Sequence, residues 1–150
     1  MLRIDIVKQS DGSGVLRCTR ADGSVTWQKQ SGRHAAFFAL HDLTHYAVET
    51  VLGYRRGFFG LVAEGWEMED TTGKGNRGTL PPEAVEVEHL VGLFDAQRGS
   101  GSVWTADEFN AFSHRPLTEQ QLHAILARRA ELFRQWGGVA AGQALTLMFD

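Results

Sequence analysis

The sequence predicts an α+β fold in one domain spanning residues 1–150. Three observations carry that expectation. The N-terminal segment alternates apolar and polar residues at the two-residue period of half-buried strands. The middle and later parts read as helices with recognisable start and stop signals. A short apolar tail at residues 144–149 returns to strand-like text. The resulting order, β-β-β-α-α-α-α-α-β, keeps most strands and helices in separate runs.

In the first strand, Leu2, Ile4 and Ile6 alternate with Arg3 and Asp5. "SDGSG" at residues 10–14 is a turn, and a second strand follows at about residues 15–20. "ADGS" carries Asp22-Gly23, a hairpin signal because both residues tolerate positive φ. A third strand then covers about residues 24–28, completing an antiparallel meander. "RHAAFFALHDLTHYAVETVL", about residues 33–52, is rich in Ala, Leu and Phe and free of Gly and Pro. It predicts a helix with Ser31 as its cap and Gly53 as its end.

After the connector "YRRGFFG", a second helix is expected at about residues 61–69. "TTGKGNRGTLPP" reads as a polar, glycine-rich loop, and Pro81-Pro82 lead into a third helix at about residues 83–96. "RGSGS" then breaks the chain. Thr105 with Glu108 reads as a capping box for a short helix to about residue 112. Thr118 with Gln121 reads as another, opening a long helix that ends at Trp136 before Gly137-Gly138. The tail "ALTLMF" predicts a last strand, and the meander is the sheet available to it.

Composition narrows the function classes. Hydrophobic content of 43% over 150 residues suffices for one core. A formal net charge of −3 argues against bulk electrostatic binding to nucleic acid or an anionic membrane surface. No window approaches the roughly 18 apolar residues of a membrane helix, and "MLRIDIVKQS" lacks the apolar run of a signal peptide. The single cysteine, Cys18, leaves no intrachain disulfide. The expectation is a cytoplasmic protein with Cys18 as a buried structural thiol. Arg128, Arg129 and Arg134 read as a solvated helix face.

The stretch "ALHDLTHYAVE", residues 39–49, carries the chemistry. His41 and His45 are four residues apart, so on a helix they project from one face and their imidazoles can converge on one ion. A site needs a third protein ligand. Glu64, in "GLVAEGW" with eighteen residues between it and His45, is the candidate if the next helix folds back.

This pattern resembles the gluzincin metalloprotease motif, in which His-Glu-x-x-His is followed by a glutamate on a second helix; the likeness covers only about residues 30–70. The resemblance implies His41, His45 and Glu64 as ligands of Zn²⁺ (or another divalent transition metal), and Asp42 in the place of the general base. It implies metal-activated water attacking an amide or ester carbonyl of a small-molecule or peptide substrate. Aspartate is one methylene shorter than the family's glutamate, about 1.5 Å, which alters its reach to the water. The family also supplies a Tyr or His to the oxyanion; here Tyr46, Tyr54, His89, His114 and His123 are the residues available.

Other readings stand beside this one. In a non-enzymatic binding module, His41 and His45 are structural, Asp42 and Glu49 face solvent, and Glu64 pairs with Arg55 or Arg56. "ALHDLTH" is also similar to the His-Asp doublet of HD-domain phosphohydrolases, with Asp95 or Asp107 as the later ligand. His34 shares the stripe of His41 about 10 Å along the axis, a position that lines a cleft or has no role. "GKGNRG" at residues 73–78 matches a dinucleotide motif by letter but lacks its strand and helix; it reads as a loop able to cover the site.

Overall fold

The alternation at the N-terminus becomes β1 (Leu2–Lys8), whose Leu2, Ile4 and Ile6 are buried on one face. The computed structural model describes residues 1–30 and 32–150. β2 (Gly14–Arg20) pairs antiparallel with β1, Ile4 opposite Cys18, and β3 (Val25–Lys29) pairs with β2 across the Asp-Gly turn. The tail forms β4 (Ala144–Phe149), which joins β1 with Leu2 opposite Phe149. The sheet order is β3-β2-β1-β4, and with the five helices below this is the α+β arrangement read from the sequence.

Helix α1 (Ala35–Leu52) ends at Gly53, whose φ of 70° is the left-handed conformation glycine adopts without strain. His34 stands at the N-cap position without a side-chain cap; Ser31, the expected cap, lies outside the described residues. α2 (Phe58–Glu64) starts earlier and ends earlier than expected. Gly65 takes φ 114° and closes it after Glu64, and a 3-10 turn follows at Asp70–Thr72. α3 (Pro82–Ser100) runs one turn beyond its expected end, to Gly101 in the left-handed region. α4 (Ala106–Asn110) and α5 (Glu119–Gly137) both open on the reciprocal capping boxes expected of Thr105–Glu108 and Thr118–Gln121. Among the described residues no helix is long and apolar enough to cross a membrane.

The packing places α1 at the centre. The inner face of the sheet (Leu2, Ile4, Leu16, Cys18) meets α1, which also packs against α3 and α5 through residues such as Leu43, Phe94 and Leu132. Tyr46 Oη donates to the Met148 carbonyl at 2.7 Å and ties α1 to β4. Every residue from Asp42 to Glu49 is buried. A helix buried all round normally carries apolar residues alone; here Asp42, Thr44, His45 and Glu49 share its interior. Buried polar groups must find partners, and those partners define the site.

Cys18 is fully buried between sheet and helix, and burial pushes its thiol up to about 12. Its expected behaviour is inertness toward a thiol reagent such as DTNB at pH 8 in the folded protein. One equivalent should react on addition of guanidinium. Rapid labelling of the native protein would contradict the packing.

Candidate metal centre

Helical spacing puts the imidazoles of His41 and His45 together, with ring centroids 4.8 Å apart. Each ring is held at Nδ1 by a carboxylate. His41 Nδ1 lies 2.6 Å from Asp95 Oδ2 on α3, and His45 Nδ1 lies 3.1 Å from Glu49 Oε2 on the next turn of α1. A carboxylate on Nδ1 fixes the tautomer and leaves Nε2 as the ligating atom. Glu88 of α3 faces those nitrogens, its Oε1 3.2 Å from His45 Nε2. His41, His45 and Glu88 each offer a ligand atom, all within 4.8 Å of one another. Two imidazoles and one carboxylate are a donor set that suits a divalent transition ion.

Glu49 serves two structures at once. Its Oε2 holds His45, while Oε1 accepts the Phe59 backbone N–H at 2.9 Å. It thereby caps the N-terminus of α2, where a negative charge meets the unpaired amides and the positive end of the helix dipole. Gly57, at the N-cap of α2, makes this possible: a Cβ there would lie 2.6 Å from Glu49 Oε1. This cap explains why α2 starts at Phe58 rather than at residue 61.

Charge in the cluster follows burial and neighbours. Burial opposes protonation of His45, but hydrogen bonds to Glu49 and Glu88 outweigh it and hold the imidazole up to about 10. Burial lifts Asp42 to about 7, against the pull of His45 and His41. On the far side of Asp95, Oδ1 is buried without a hydrogen-bond partner, with an Arg98 guanidinium nitrogen 3.8 Å away.

His41, Asp42, His45 and Glu88 line one side of a cavity of about 350 Å³. Phe38 and Phe58 supply apolar wall, and Thr71, Thr72 and Leu80 close it from the segments flanking the 73–78 loop. Gln28, in β3, and Gln30, one residue past its end, complete the lining.

Three of the four expected site residues, His41, Asp42 and His45, are therefore together; Glu64 is elsewhere. Its exposed carboxylate accepts from Arg56 Nε at 2.9 Å and borders a different depression, beside Arg20 and Glu67. The cause is the length of α2. Phe58 begins that helix at the cavity, and Glu64 stands at its other end, about 9 Å further along. The place expected for Glu64 is filled by Glu88.

Nothing in the sequence marks Glu88, and Glu49, which the non-enzymatic reading faces to solvent, is fully buried. Glu49 had a signal, its position four residues beyond His45 on the same stripe. Glu88 and Asp95 lie two helical turns apart on one face of α3, but nothing local says which helix that face meets. None of the five residues available for an oxyanion lines the cavity. Tyr46 donates to Met148 and Tyr54 to Glu86, His89 stacks on His114 at 4.2 Å, and His123 pairs with Glu119. His34 is exposed and Asp107 sits in the first turn of α4, both away from the cavity lining. No protein-family model, no curated protein and no solved structure matches this chain.

Proposed function

We propose that the protein binds a divalent transition ion, Zn²⁺ above all, through His41, His45 and Glu88, and that it is a small metal-dependent hydrolase. The observation that carries this reading is the bracing of both imidazoles at Nδ1 by Asp95 and Glu49, with Glu88 facing the remaining nitrogen of His45. A purely structural histidine pair has no need of three separate carboxylates. In this reading the gluzincin-like His-Asp-x-x-His helix keeps its role, while the third ligand comes from α3.

A divalent ion held there supplies Lewis acidity and an acidified water. The chain's own groups do the rest. Asp42 lines the same cavity, and a carboxyl lifted to about 7 exchanges protons readily near neutral pH. It takes a proton from the attacking water and returns it to the leaving group. Glu49 and Asp95 keep the imidazoles oriented, and Phe38 and Phe58 limit water at the reacting centre. The second reading, ion binding without hydrolysis, draws on the shorter reach of Asp42 and on the absence, among the described residues, of any Tyr or any His beyond His41 and His45 from the cavity lining.

One experiment separates them. Protein purified without a nickel column is titrated with Zn²⁺, then assayed on amide and ester substrates alongside Asp42→Asn. The expected result is about one equivalent bound by both forms, with hydrolysis reduced about 10²–10⁴-fold in the variant. Binding with no turnover in either form favours the non-catalytic reading, and no uptake sinks the site.

A further inference from the structure

Resting on that reading of the site, we infer its substrate class: a small, uncharged amide with N–H and C=O side by side on one edge, as in an imide, lactam or hydantoin.

The charge of the cavity argues first. Among the described residues no Lys or Arg lines it, whereas Asp42 and Glu88 do. Apart from His45 and the ion itself, a phosphate ester, a nucleotide or a peptide with a free C-terminal carboxylate would find no Lys or Arg fork to pair with there, and it would lie beside the Asp42 carboxyl. Its size argues next. At about 350 Å³ the cavity is at the small end of ligand sites, which suits a compact molecule rather than an extended chain.

The free hydrogen-bonding groups decide the rest. Thr71 and Thr72 are committed, their hydroxyls donating at 2.6 Å to the carbonyls of Met68 and Glu69. Gln28 follows Thr26 at the two-residue period of β3 and so shares its inward face, and Gln30, one residue past the strand's end, also lines the cavity. Both are half-buried, and among the described residues neither carboxamide has a hydrogen-bond partner within the protein. By contrast, the Gln97 carboxamide donates to Ser102 and accepts from Arg129.

A carboxamide offers a donor and an acceptor side by side. Its complement is another group with the same pair in reverse order, the edge of a cis-amide. Gln28 and Gln30 therefore hold the amide edge, and the rings of Phe38 and Phe58 cover its apolar body. Hydrolysis adds the water oxygen to the carbonyl carbon and breaks the C–N bond. The proton taken by Asp42 goes to the departing nitrogen. A cyclic amide then leaves as one ring-opened amino or carbamoyl acid, with water the only co-reactant.

The test uses zinc-loaded full-length protein and the probes succinimide, hydantoin and 2-piperidone, against p-nitrophenyl phosphate and glycylglycine. Binding is read by saturation-transfer NMR and turnover by product analysis. The expected result is binding of the cyclic amides in preference to both charged probes. Gln28→Leu, Gln30→Leu and the near-isosteric Gln28→Glu should each weaken cyclic-amide binding about five- to tenfold. KM should rise more than kcat falls, with Zn²⁺ uptake unchanged. Preference for the phosphate or the dipeptide, or wild-type affinity in the glutamine variants, overturns the substrate class and leaves the metal site standing. Failure of wild type to take up Zn²⁺ overturns the site and this inference together.

Discussion

Glu49→Ala is expected to destabilise the protein by about 3–5 kcal/mol, the loss typical of breaking a buried charged pair from one side. Glu49 has no exposed surface, and removing it leaves the Nδ1 of a protonated His45 facing a void and the Phe59 amide unpaired. Urea denaturation in the presence of a chelator measures this without interference from metal. A change below about 1 kcal/mol would mean that the carboxylate does not hold the two helices together. The same experiment across pH reads the charge state. His45 is held up to about 10, above its ordinary 6.5, so its protonation stabilises the fold. That contribution is complete below pH 6.5 and lost as pH climbs to 10. Asp42, lifted from 3.8 to about 7, acts in the same direction over its own window. The metal-free protein should therefore lose stability between pH 7 and 10, with a shallower slope in Glu49→Ala.

The second large effect distinguishes two glutamates. Glu88→Gln and His45→Ala should weaken Zn²⁺ binding by more than about 100-fold, beyond the 10–100-fold usual for losing an outer partner. Glu64→Gln, which loses only an exposed pair with Arg56, should bind as wild type. Isothermal titration with competing chelators at pH 7 measures all three. Apparent affinity should rise with pH through the neutral range, because the ion displaces the proton held by His45. Loss of binding in Glu64→Gln with retention in Glu88→Gln would reverse the ligand assignment.

What the sequence made legible was local. The Asp22-Gly23 hairpin, the capping boxes at Thr105 and Thr118, and the glycine after α1 each involve residues within a few positions of one another. The placement of β4 beside β1 was also readable, since one sheet was available to it. The His41–His45 pair belongs to the same kind, being set by helical pitch alone. The start of α2 was not legible because its cap comes from Glu49 on another helix. Glu88 was hidden for the same reason: which helix approaches α1 is decided by how the apolar faces of α3 and α5 pack, and sequence spacing does not report it. The gluzincin-like spacing points to the next helix, α2, whereas the carboxylate beside His45 Nε2 comes from the one after, α3.

The two braces on the histidines differ in origin. Glu49 holds His45 from within the same helix, four residues on, whereas Asp95 reaches His41 from α3, which also carries Glu88. Were α3 to lift away from α1, His45 would keep its brace, but His41 would lose Asp95 and Glu88 would leave with it. A bound ion would thus act as a clasp across the α1–α3 seam. Its grip would report how closed that seam is, and breathing motions of α3 would set how fast the ion leaves.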